Sequence, residues 1–415
     1  MESVIRKLEK EELPDFVNIV LNAYPGTTEN TPEFKERFTN TLTYLQEEVE
    51  DIDFYGLFRN GKLLGGMRIH YFKMNVFGNL IDAGGVGQVA VDFLHKKEKV
   101  AKDLISYFID FFKERRTPIV MLYPFRPDFY KKMGFGYGMK KNQYYIEPSS
   151  FPKTSIKKEL VFLDHSHKES IKDCYNSIAK SRHGMIINSD YEIEKLFKNP
   201  NNKLIGLMED GRLKGYILFS FKKVKDDHFL LNDLLVHHMV YKSPEVLAQF
   251  CNFFNSQADQ IHRISLHTQD EGLEFMLEDP RNGTNNLIPS VFHETNTAGV
   301  GLMYKILDVE KILTATPRLG ISCKFNVVLH DSFHSPEPQK FMIHSQDGKI
   351  SIEEYRDHED RIELDISDFS SLIMGVVDAR TLYRFGKLTI TNTNLLNILN
   401  EIFNVHEKPV CTTLF

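Results

Sequence analysis

Val86-Gly87-Gln88-Val89-Ala90-Val91-Asp92-Phe93-Leu94-His95-Lys96-Lys97-Glu98-Lys99-Val100-Ala101 decides how this chain folds. Val86 to Val91 read as a strand, and Val100, Ala101, Leu104, Ile105, Phe108 and Phe112 recur at the spacing of a helix with one buried face. Pro118 to Tyr123 read as a second strand, and Phe129-Tyr130-Lys131-Lys132-Met133-Gly134-Phe135 follow it. The loop between the first strand and the helix, which is predicted near Lys97 to Glu114, is basic. Free N–H groups and the positive dipole end of a helix start attract a diphosphate, and Lys96, Lys97 and Lys99 add charge there. Taken alone, such a lysine cluster reads as a solvated face. The strand before it, Gly84, Gly85 and Gly87, which permit close backbone approach, and Tyr130 beyond the next strand together point to a ligand.

The same order occurs twice. Gly56-Leu57-Phe58-Arg59-Asn60-Gly61-Lys62-Leu63-Leu64-Gly65 and Gly206-Leu207-Met208-Glu209-Asp210-Gly211-Arg212-Leu213-Lys214-Gly215 match in their glycines and leucines, each reading as a hairpin closed by Asn-Gly or Asp-Gly. Behind the second come a strand over Leu230 to Val236, a helix near Pro244 to Ala258 and a strand over Ile264 to His267. Two related α/β domains follow. Where the first copy has its basic loop, the second reads Val236-His237-His238-Met239-Val240-Tyr241-Lys242-Ser243-Pro244. With one lysine there, it is expected to hold no cofactor.

At 415 residues the chain implies two to four domains, and 42% hydrophobic with 26% charged residues fits a globular protein. A net charge of −6 argues against nucleic acid as the main partner and suits a cationic substrate. No stretch approaches the roughly 18 to 20 apolar residues of a bilayer span. Cys174, Cys251, Cys323 and Cys411 form no C-x-x-C pair and the first residues form no apolar leader, so a reduced, cytoplasmic protein is expected. His165-Ser166-His167 and His237-His238 lack partners at metal-ligand spacing, and no metal is expected.

The strand, basic loop, helix and tyrosine resemble the GNAT superfamily of acetyl-CoA-dependent N-acetyltransferases, whose loop is Arg/Gln-x-x-Gly-x-Gly/Ala. Lys96-Lys97-Glu98-Lys99-Val100-Ala101 occupies that loop, with Lys96 at the first position and Lys99 where the central glycine usually stands. The tandem module, the segment Phe129 to Gly138 and a C-terminal third ending in Leu414-Phe415 narrow the resemblance to the enhanced intracellular survival acetyltransferases, over nearly the whole chain. It implies tandem GNAT-like α/β domains, 1–150 and 151–290, then an α+β domain like a sterol carrier protein over 291–415. It also implies a hexamer, a small polycationic amine such as an aminoglycoside or a lysine side chain as acceptor, and acetyl-CoA as co-substrate.

Tyr130 is the general acid by this resemblance; read alone, it is a packing aromatic beside Phe129 and Phe135. A phenol stays protonated at neutral pH and can donate to a leaving thiolate. The terminal carboxylate of Phe415 enters the first domain's site as base by the same resemblance, and burial raises such a group toward useful values. Cofactor contacts fall on the backbone of Val89, Ala90 and Val91 and on Lys96, Lys97, Glu98, Lys99, Val100, Ala101 and Lys102. The acidic run Glu29, Glu33, Glu36, Glu47, Glu48 and Glu50 suits a polycation but reads first as solvated helix face, and Glu401 and Glu407 lie near the terminus. The other reading is a non-catalytic GNAT whose Lys99 spoils the loop and whose third domain binds a lipid or partner.

Overall fold

The computed structural model describes residues 3–226, 231–288, 291–314, 321–403 and 405–415. The first stretch runs β1 Ser3–Lys7, α1 Leu13–Ala23, α2 Pro32–Glu48, β2 Ile52–Arg59, β3 Lys62–Val76, β4 Asn79–Val91, α3 Val100–Glu114, β5 Ile119–Leu122, α4 Pro127–Lys131 and β6 Gly136–Tyr137. The second runs β7 Lys141–Ile146, β8 Leu160–Phe162, α5 Lys168–Ala179, α6 Asp190–Glu194, β9 Lys203–Glu209, β10 Arg212–Lys223, β11 Asn232–Tyr241, α7 Pro244–Asn255 and β12 Ile261–Thr268, then the short strands β13 Leu287–Ile288, β14 Phe292–His293 and β15 Asn296–Gly299. The third runs β16 Met303–Ile306, α8 Val309–Thr314, β17 Cys323–His330, β18 Gln339–Gln346, β19 Lys349–Glu354, β20 Arg361–Asp365, α9 Ile366–Ile373, α10 Ala379–Arg384, β21 Leu388–Ile390 and α11 Leu395–Ile402.

Two compact units result. One comprises Met1–Gly138, Leu302–Pro409 and Leu414–Phe415, the other Met139–Gly301 and Val410–Thr413. The first unit holds a sheet ordered β1-β2-β3-β4-β5-β16-β6 and a five-stranded sheet ordered β19-β18-β17-β20-β21. The second holds a sheet ordered β15-β7-β12-β11-β10-β9-β8. These limits differ from the boundaries expected at 150 and 290, because β7 pairs with β12 of the second sheet while β16 lies between β5 and β6 of the first.

The repeat seen in the sequence is a repeat in space. Asn60 and Gly61 (φ +53° and +77°), like Asp210 and Gly211 (+49° and +69°), take the left-handed angles of a tight hairpin turn. Behind each turn the register slips at the same place: Leu57 faces Gly65 and Phe58 faces Leu63, as Leu207 faces Gly215 and Met208 faces Leu213. Gly65 and Gly215 serve one purpose. A Cβ on Gly65 would meet the Ala90 carbonyl and Val100, and one on Gly215 the Val240 carbonyl and Val246, so both glycines let a helix lie close to the sheet.

In the first sheet Val86, Met67, Ile69, Leu104, Ile105, Phe108 and Phe112 form one buried cluster under α3. In the second, Ile217, Val236, Phe250, Phe254 and Ile264 do the same under α7. Strands β17, β18, β20 and β21 with α9, α10 and α11 close a third core around Phe325, Ile343, Ile362, Phe369, Leu388 and Leu399.

Three local expectations shift. Helix α3 begins at Val100 rather than near Lys97, because Lys97 and Lys99 hold left-handed angles (φ +69° and +68°) that no α-helix contains. Strand β5 stops at Leu122, one residue before Tyr123. Strand β11 continues through His237, His238, Met239, Val240 and Tyr241, which the sequence placed in a loop, because Val240 and Tyr241 pair with Tyr216 and Gly215. Only Lys242 and Ser243 then separate β11 from α7. Leu230, the expected start of that strand, lies outside the described residues.

Candidate active site

Strands β4 and β5 run parallel from Ala83 opposite Ile119 to Val86 opposite Leu122, and the pairing ends there. Beyond it β4 keeps β3 on one side through a bulge: Gly66 faces Ala90 and Arg68 faces Gly87, so Gln88 and Val89 together oppose Met67. Gln88 takes a left-handed φ of +48° within this bulge. Val89, Ala90 and Val91, expected to present backbone donors, lie on the freed edge of β4.

The last residue of the chain fills one side of the bulge. The Phe415 ring packs against His70 (centroids 5.4 Å apart), Phe72 (5.0 Å) and Tyr123 (5.2 Å). A Cβ on Gly87 would stand 3.0 Å from the Phe415 main-chain carbon and 3.4 Å from Arg68 Nη2, and one on Gly85 would stand 3.0 Å from the Phe415 ring. Gly87 therefore makes room for Phe415, Gly85 for Phe72 first and Phe415 next, and Gly84 for the core residue Phe112. The three glycines, read in the sequence as permitting close backbone approach, accommodate side chains and the chain end. Of the apolar pair at the terminus, Leu414 is exposed.

On the other side stands a residue that the sequence did not single out. The Tyr24 hydroxyl donates to the Val89 carbonyl at 2.7 Å and lies near enough to Tyr130 to disfavour ionisation of the Tyr130 phenol. Tyr24 follows the last residue of α1, just before Pro25, and only the tertiary fold connects it with β4. Tyr130 sits in α4, 5% exposed, with the rings of Phe129 and Phe135 at 5.2 and 6.1 Å. Burial first, and Tyr24 second, raise its pKa well above that of a free phenol.

Ahead of α3 the loop residues Lys96, Lys97, Lys99 and Lys102 are exposed. The first backbone bond of the helix runs from Asp103 N–H to the Lys99 carbonyl, and no side chain caps its start, so the N–H groups of Val100, Ala101 and Lys102 precede the hydrogen-bonded ladder. Glu98, the loop's one acid, is held by Arg59 at 3.0 Å and His95 at 3.1 Å. Unopposed lysines around an uncapped helix start fit the diphosphate of a coenzyme A. The second unit differs here. Its α7 follows a two-residue link and has Pro244 at its first position, which removes one donor.

The acidic residues Glu29, Glu33, Glu36, Glu47, Glu48 and Glu50 are exposed, as are Glu401 and Glu407. His237 bonds Ser220 Oγ at 2.7 Å, and His238 Nδ1 shares a hydrogen bond with the Tyr216 hydroxyl at 3.1 Å. Among the described residues no group of three or more His, Cys, Asp or Glu could hold a metal ion, and no helix is long and apolar enough to cross a membrane.

Comparison with known proteins agrees with this architecture. Residues 4–138 and 184–303 each match an acetyltransferase (GNAT) domain family, and residues 309–412 match the sterol carrier protein domain family. No curated protein matches the sequence. Among solved structures, a GCN5-related N-acetyltransferase from Anabaena variabilis is 19% identical with a TM-score of 0.81. A probable N-acyltransferase from Enterococcus faecalis is 17% identical with a TM-score of 0.80. Eis1 from Mycobacterium abscessus is 16% identical with a TM-score of 0.77, and all three alignments cover 100% of both chains. These identities speak to fold. The chain thus carries two acetyltransferase (GNAT) domains and a sterol carrier protein domain, in a fold that Eis1 shares.

Proposed function

We propose that the first acetyltransferase domain transfers an acetyl group from acetyl-CoA to an amine of a small polycationic molecule, an aminoglycoside-like compound, or to a lysine side chain. The observation that carries this reading is the β4 bulge, which has the Phe415 main-chain carboxyl at Gly87 and, through Tyr24 on Val89, the Tyr130 phenol close by. Lys96, Lys97, Lys99 and Lys102, the N–H groups at the start of α3 and the free edge of β4 from Val89 to Val91 would hold the co-substrate. When bound, acetyl-CoA supplies a thioester carbonyl and a thiolate leaving group.

Tyr130 keeps its proton on the phenol oxygen far above neutral pH and is therefore a standing donor for a departing anion. The Phe415 carboxylate is an acceptor for the proton of an incoming ammonium. The rings of Phe72, Tyr123 and Phe415 pack together beside it. The non-catalytic alternative draws on Lys99, but that residue keeps the left-handed backbone a glycine would adopt, so the loop retains its shape. The second domain lacks the loop and is assigned no co-substrate.

A thiol-release assay with acetyl-CoA and kanamycin or neomycin tests the reading. Turnover is expected, and Tyr130→Phe should lower kcat about a hundredfold with the acetyl-CoA KM nearly unchanged. An unaltered kcat would remove the phenol's role. Absence of thiol release together with absence of acetyl-CoA binding would leave the non-catalytic reading.

A further inference from the structure

We propose that the sterol carrier protein domain positions the Tyr130 phenol, through the buried ion pair Lys305–Asp331 and its neighbour Lys131–Asp368. The inference rests on the reading of Tyr130 as the acid.

Lys305 lies on β16, between β5 and β6, and is 1% exposed. An ammonium in the middle of a sheet is costly unless fully paired. Its Nζ donates to the Met133 carbonyl at 3.0 Å and to Asp331 Oδ2 at 2.7 Å. Asp331 follows β17 in the third domain. Its other carboxylate oxygen is buried with no hydrogen-bond partner, so the carboxylate serves the lysine at the expense of its own satisfaction.

What Lys305 holds is the turn behind Tyr130. The N–H groups of Met133 and Phe135 both donate to the Tyr130 carbonyl, at 2.9 and 3.1 Å. Gly134 between them has φ +86°, and Lys305 Nζ occupies the space a Cβ would take. The residue next to the phenol is gripped as well: Lys131 Nζ bonds Asp368 Oδ1 at 2.5 Å. Ser371 Oγ donates to the Tyr137 carbonyl at 2.8 Å, and a Cβ on Gly136 would strike the Ser367 carbonyl oxygen. Helix α9 and Asp331 thus hold residues 131–137 at several points. Buried ion pairs add little net stability and are replaceable by apolar pairs, so a fixed geometry is the better reason for this one.

The test is a double-mutant cycle by thiol release. Lys305→Met with Asp331→Leu, which leaves no charge buried alone, should lower kcat about ten- to a hundredfold at an unchanged acetyl-CoA KM. In the Tyr130→Phe background the same pair should lower kcat no further. Asp368→Asn, in a partly exposed pair, should show a smaller loss with the same dependence on Tyr130 and serves if the first variant does not fold. If Tyr130→Phe lowers kcat but the clamp variants leave it unchanged, or lower it equally in both backgrounds, the positioning role is wrong. If Tyr130→Phe itself changes nothing, or the parent protein shows no turnover, the acid reading falls and takes the clamp with it.

Discussion

Lys99 stands at φ +68°, where a lysine costs about 1 to 2 kcal/mol and a glycine little. Lys99→Gly should therefore stabilise the protein, by up to about 1 kcal/mol after the extra freedom of glycine in the unfolded chain is subtracted. It also removes one ammonium from the helix start, so the acetyl-CoA KM should rise severalfold. Denaturant unfolding and steady-state kinetics read the two effects separately; a loss of stability would show that the lysine side chain contributes more than its backbone costs. The sequence displays the lysine in the glycine position, yet the left-handed angle belongs to the packing on either side. Gln88 makes the same point more strongly. Its φ of +48° and its buried, unpartnered Oε1 arise from a bulge between β3 and β4, and nothing in Val86 to Val91 announces them.

Elements whose chemistry is local were legible. Asn60-Gly61 and Asp210-Gly211 form the turns their residue types favour, and Val100, Leu104, Ile105, Phe108 and Phe112 of α3 lie buried. The extent of β11 was not legible, because a bulge at His237 and pairing with Tyr216 carry the strand five residues past Val236. That extension sets the half-buried His238 against Tyr175 and Tyr216, where desolvation, then Lys141, lowers its pKa to about 4. The unfolded imidazole titrates near 6.5. Between these values the unfolded chain binds the extra proton, so the stability of the second unit should fall as pH drops from about 6.5 to about 4 and be unaffected by this group above that range. His238→Phe removes the titration. Urea midpoints followed from about pH 7 to about pH 4 should fall more steeply for the parent than for the variant; parallel curves would mean that His238 is protonated or water-accessible in the folded state.

The molecule as a whole departs from a reading in consecutive domains. Chain order suggested cuts at 150 and 290, but pairing between distant strands sends β7 and β15 to the second sheet and β16 to the first. No local pattern of hydrophobic residues distinguishes which sheet a strand will join; that is decided by the edge left open after folding. In the first sheet the edge is β5, and β16 covers it with Met303, Tyr304, Lys305 and Ile306, all at most 2% exposed. A fragment of residues 1–150 would lose that strand and the clamp on residues 131–137, and would carry β7 without a partner sheet. An uncovered apolar edge favours association over folding. The fragment should therefore show no cooperative melt by far-UV circular dichroism and should aggregate, whereas residues 1–138 joined through a short linker to 302–415 should melt cooperatively. A sharp, reversible transition in residues 1–150 alone would show that the first sheet closes without β16, and would remove the structural basis for assigning the third domain a part in building the site.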